Sequence, residues 1–153
     1  MTSAREIYDR ALSEALDERA DRRKIAGELL IAAELGLADA HYAIATWYLN
    51  GIGVDKDVDK GVEHLEAAAL ENHPSALFDL AVCFENGQGK PINLKAAFEL
   101  YMRAALWADV GSYFAVGRCF YYGVGIEQGA RLAEVWFERS KELGGTYEEE
   151  PEP

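Results

Sequence analysis

The stretch YLNGIGVDKD, residues 48–57, decides how the rest of the chain is read. Two glycines one residue apart, beside charged side chains, can form a loop that cradles phosphate. Such a loop needs a strand before it and a further glycine, or Gly-Lys-Ser/Thr, opening a helix, and neither is present here. Gly51 instead recurs as Gly87 and Gly123, and Gly53 as Gly89 and Gly125, all at intervals of 36 residues. NGIGV, NGQGK and YGVGI are one turn written three times. A unique catalytic loop needs no copies, whereas a turn that closes a helix in every repeat does. Glycine enters the left-handed conformation of a helix C-terminus freely, and a side chain there costs about 1 kcal/mol.

Other positions keep the same interval. Ala40, Ala76 and Ser112 are in register, as are Ile44, Leu80 and Val116; Ala45, Ala81 and Gly117; and Tyr48, Phe84 and Phe120. Their offsets of four, five and eight put them on one helical face. After the turn, Asp21, Asp57, Asn93 and Gly129 coincide, all residue types that suit a helix N-cap. A second helix then repeats Leu29, Leu65, Tyr101 and Phe137, followed by the pairs Ala32-Ala33, Ala68-Ala69 and Ala104-Ala105, whose small side chains let helices approach closely. Extended to the N-terminus, the register makes Tyr8 and Leu12 equivalent to Ile44 and Tyr48, with ALDERA in place of the glycine turn. The spacing predicts first helices near 3–16, 39–50, 75–86 and 111–122, and second helices near 21–35, 57–71, 93–107 and 129–143. Such pairs cannot bury their apolar faces alone, so an all-α fold is expected: a right-handed α-solenoid of about four antiparallel helix pairs, with the first helices lining a concave inner surface. The repeat domain is placed at 1–144, with repeats near 3–38, 39–74, 75–110 and 111–144, followed by an acidic disordered tail at 145–153.

Composition narrows the function. The 153 residues carry 15 basic and 27 acidic side chains, a net charge of −12, which argues against nucleic acid or an anionic membrane as partner. Residues 1–24 hold six of each sign, so the whole excess lies beyond Lys24. No apolar run reaches a membrane span and no secretory signal opens the chain, so a cytoplasmic location is expected. Cys83 and Cys119 occupy equivalent positions on successive first helices. They read as small buried side chains about 8–10 Å apart, beyond disulfide reach. His41, His64 and His73 occupy different repeat positions, and no His-x-x-x-His, His-Glu-x-x-His or Gly-x-Ser-x-Gly occurs. His73 before Pro74 reads as a loop residue, and His41 stands where the other repeats have Leu77 and Tyr113. No catalytic residue, metal or cofactor is therefore assigned.

The blocks ADAHYAIATWYLNGIGVDKDVDKGVEHLEAAALEN, PSALFDLAVCFENGQGKPINLKAAFELYMRAALWA and VGSYFAVGRCFYYGVGIEQGARLAEVWFERSKELG resemble Sel-like repeats, relatives of the tetratricopeptide repeats. Three repeats match well and the first one weakly. The fourth departs at Gly129, where the acidic cap is missing, and at Ser140-Lys141, where the alanine pair is lost. The resemblance implies a non-enzymatic scaffold that binds a protein or peptide through first-helix side chains pointing away from the stack. By register these are Asp39, Tyr42, Thr46 and Leu49, then Ser75, Phe78, Val82 and Glu85, then Gly111, Phe114, Arg118 and Tyr121. Tyr42, Phe78 and Phe114 would make a ladder of rings along the concave face, or else be buried between neighbouring helices. The excess of acid invites a basic partner, and an acidic immunity-type protein neutralising a basic toxin is an alternative. An enzyme using Asp79 and Glu85 on a small molecule or cell-wall fragment is a weaker one. The expected assembly is a monomer or a weak homodimer.

Overall fold

In the computed structural model, which describes residues 1–145, the expected helices are present. Among the described residues the elements are α1 (Ala4–Ala15), α2 (Arg22–Glu34), α3 (Ala38–Asn50), α4 (Val58–Leu70), α5 (Pro74–Asn86), α6 (Leu94–Leu106), α7 (Val110–Tyr122) and α8 (Ala130–Glu142), with no strand. Apart from Gly145, the expected acidic tail lies outside the described residues. Each second helix begins one residue later than expected because its first expected residue is the cap. Asp21, Asp57 and Asn93 are extended, and their side chains accept backbone N–H groups of the following turn. Gly129 holds the same backbone conformation with no side chain to offer.

The paired glycines have two different jobs. Gly51 and Gly123 are left-handed C-caps at φ 68° and 72°, their N–H groups donating to the carbonyls of Trp47 and Cys119. Gly53 and Gly125 also have positive φ, but what excludes a side chain there is contact. A Cβ at Gly53 would lie 2.2 Å from the Arg22 carbonyl oxygen, and one at Gly125 2.0 Å from that of Leu94. The first glycine ends a helix, and the second lets the turn lie against the start of the preceding second helix.

The chain forms two compact units, Met1–Ala76 and Leu77–Pro153, and the division falls within α5. The core of the first unit joins Ile7 and Ala11 of α1, Ile25, Leu29, Ala32 and Ala33 of α2, and Ala40, Ile44 and Tyr48 of α3. In α4, Val62, Leu65, Ala68 and Ala69 are buried as well. The second unit buries Leu77, Leu80, Ala81 and Cys83 of α5, Tyr101 with the alanine pair of α6, Val116 and Cys119 of α7, and Ala133 and Ser140 of α8. The two departures of the last repeat now have a physical face. Ser140 is fully buried, its Oγ has no hydrogen-bond partner, and Lys141 beside it is exposed.

Candidate functional site

Of the twelve first-helix positions expected to meet a partner, Gly111 is exposed and the others are half-buried: Asp39, Tyr42, Thr46 and Leu49 on α3, Ser75, Phe78, Val82 and Glu85 on α5, and Phe114, Arg118 and Tyr121 on α7. They are therefore neither a free ladder of rings nor sealed core. Several have a local packing reason. Phe78 meets Tyr101 of α6 edge-on with ring centroids 5.4 Å apart, and Phe114 tilts against Phe137 of α8 at 5.3 Å. Tyr121 stands edge-on to Tyr122 at 4.8 Å. Leu49 reaches so far over α4 that a Cβ at Gly61 would come within 2.7 Å of its Cγ. The Thr46 hydroxyl donates to the Ala43 carbonyl at 2.7 Å, so that donor is already used within its own helix.

The second unit adds an ionic feature to this row. Arg118 donates from both terminal nitrogens to the Glu85 carboxylate, at 2.8 and 2.7 Å, and the Tyr101 hydroxyl donates to Glu85 at 2.8 Å. A bidentate guanidinium pair reinforced by a third donor is stronger and more directional than a surface ion pair. The Arg118 hydrogen bonds hold the Glu85 carboxyl below its ordinary range, while burial together with the Glu85 carboxylate pushes the Tyr101 phenol well above its own. Glu85 is thus an ionised, occupied acceptor, a poor general acid. The neighbouring thiols are not activated either, since burial raises Cys83 and pushes Cys119 up to about 11. Both cysteines are free.

In the first unit the histidines do more than the sequence suggested. His73, expected as a plain loop residue, accepts the Ala76 N–H on Nδ1 at 3.2 Å and so caps α5. Its Nε2 lies 3.2 Å from Asp39, which also pairs with Arg5 at 2.6 Å. Tyr42 stacks on the His73 ring at 4.7 Å, which fixes the first ring of the expected row. His41 and His64, placed at unrelated repeat positions by the sequence, meet with their Nδ1 atoms 2.9 Å apart. Desolvation lowers the pKa of both rings. A cleft of about 500 Å³ beside the Gly53 turn is lined by Arg23, Lys56 and Lys60 together with Asp55 and Asp57. Its charges nearly cancel, so it offers no clear anion site.

Two pairings go beyond what residue types and helix faces predict, and the sequence carries a signal for each. Residues 23 apart meet repeatedly, as in Phe78–Tyr101, Tyr113–Trp136 and Phe114–Phe137, and His41–His64 obeys the same separation. Glu85 and Tyr121 are register equivalents, and Arg118 lies one helical turn before Tyr121, so opposite charges 33 residues apart are placed to meet. Among the described residues no group of three or more His, Cys, Asp or Glu side chains is arranged to hold a metal ion, and no helix is long and apolar enough to cross a membrane.

Comparison with known proteins follows the same repeats. The Sel1 repeat profile matches residues 38–73, 74–106 and 110–145. The chain is 30% identical over 118 residues to chitin synthase regulatory factor 3 of Schizosaccharomyces pombe, a match covering 72% of this chain and 13% of that protein. Among solved structures, a Sel1 repeat protein from Oxalobacter formigenes superposes with a TM-score of 0.88 at 21% identity, over 93% of this chain and 59% of that one. A protective antigen of uropathogenic Escherichia coli displaying an SLR fold gives 0.87 at 24% identity, over 92% and 31%. Helicobacter pylori cysteine-rich protein B gives 0.62 at 22% identity, over 67% and 77%. At these identities the structures speak for the fold, and the all-α repeat fold is common to them.

Proposed function

The chain belongs to the Sel1 repeat family, and from that premise we propose that it is a non-enzymatic binding module that holds a protein or peptide partner on the half-buried faces of its first helices. Proteins of this family generally mediate protein–protein contact. The observation that carries the reading here is on α5 and α7 in the second unit, where half-buried Phe78, Val82, Phe114 and Tyr121 share the first helices with the Arg118–Glu85 pair. Partly exposed aromatic side chains beside an ordered arginine are the composition from which interface hot spots are built. Tyr42 and Leu49 of α3 offer a smaller apolar set on the first unit. The net charge of −12 supports a partner of basic character.

Affinity capture from the native host tests this. Wild type is compared with a Val82→Ser/Tyr121→Ala variant whose helicity and melting are unchanged. A protein retained by wild type and lost by the variant is the expected outcome, and equal retention by both would move the binding surface away from the row.

A further inference from the structure

The His41–His64 contact stands where the fold does not need it. The register-equivalent pairs in the second unit are Leu77 with Leu100, both buried, and Tyr113 with Trp136, whose ring centroids lie 5.6 Å apart. An apolar or aromatic pair therefore suffices at this position. Unit one instead carries two imidazoles, both half-buried, with Nδ1 atoms 2.9 Å apart and rings inclined by 38°. The Tyr48 ring lies parallel to His64 at 5.7 Å and steadies its orientation.

From this geometry we propose that His41 and His64 form a two-nitrogen chelate for a divalent transition metal, of the copper(II) or nickel(II) kind, with water completing the coordination. Imidazole suits these ions, and nitrogens bound at about 2.0–2.1 Å and at right angles to each other lie about 2.9 Å apart. Both rings must present an Nδ1 lone pair. The ring that carries its proton on Nδ1 in the direct His–His hydrogen bond passes to the Nε2–H tautomer, so the proton count is unchanged. Rotation of the rings about χ2 must then bring the two lone pairs onto one ion. Among the described residues no third His, Cys, Asp or Glu side chain joins the pair in a larger metal-binding group.

The test is titration of the full chain with copper(II) and nickel(II) chloride in a non-coordinating buffer, by calorimetry, joined to electron paramagnetic resonance of the copper form. One equivalent is expected to bind, with hyperfine splitting from two imidazole nitrogens. The His41→Leu/His64→Leu variant, which imitates the Leu77–Leu100 pair, is expected to lose more than about 100-fold in affinity, beyond what loss of an outer-shell partner brings. His73→Ala is expected to leave it unchanged. Absence of binding by wild type, equal affinity in the folded leucine variant, or a copper spectrum without nitrogen splitting would each overturn the assignment. The spectrum decides the matter even if the leucine variant does not fold.

Discussion

A methyl group added at Gly125 would lie 2.0 Å from the Leu94 carbonyl oxygen, on a residue already at φ 68°. Backbone meets backbone there, so no side chain can swing aside. Gly125→Ala is therefore expected to destabilise the protein by about 3 kcal/mol or more, the sum of left-handed strain and a forced shift of α6. Gly27 offers the opposite case, because it lies inside α2 at an ordinary helical φ, and a Cβ there meets nothing within 4 Å. Gly27→Ala should stabilise by about 0.5–1 kcal/mol. Urea denaturation of both variants measures the contrast, and equal effects would refute the division between packed and permissive glycines. The need for glycine at 53 and 125 was legible in the sequence as a recurrence. Its cause was not, because a recurrence does not reveal which carbonyl lies above a residue.

Helix positions were legible for a similar reason. The 36-residue interval, the caps at Asp21, Asp57 and Asn93 and the glycine turns all act within a few residues of themselves, so they mark helix ends directly. Side-chain partnerships between helices were harder, since register places two residues near each other without saying which atoms meet. The side chains expected to form a row on α5 and α7 are half-buried, and the ion pair among them depends on Arg118 reaching back to α5. That pair makes an element-scale prediction. The Glu85 carboxyl has a folded pKa below its unfolded value of about 4.5, so its contribution is complete above that pH and disappears as pH falls through the folded value. Arg118→Met leaves a half-buried carboxylate without its main partner and should cost about 1–3 kcal/mol at pH 7. In denaturation curves taken from pH 7 to pH 3 the gap between wild type and variant should close toward the acid end. A gap that stays constant would mean that Arg118 contributes by packing alone.

At the scale of the whole molecule, the charge is the property that the fold leaves free. Sel1 repeats specify helices and turns, and nothing in that pattern requires 27 acidic residues against 15 basic ones or a first 24 residues of zero net charge. The acid excess should therefore act on the partner, adding attraction that fades as salt screens it over about 10 Å at 0.1 M ionic strength. The most direct measurement of the binding claim is photo-crosslinking in the native host, with a benzophenone amino acid placed singly at positions 82, 121 and 99. Val82 and Tyr121 belong to the row on α5 and α7, and Glu99 is exposed on α6. If a partner occupies the row, the probes at 82 and 121 join the same protein, their yield falls in high salt, and the probe at 99 joins nothing. Adducts from 99 with none from 82 and 121 would contradict the proposed surface.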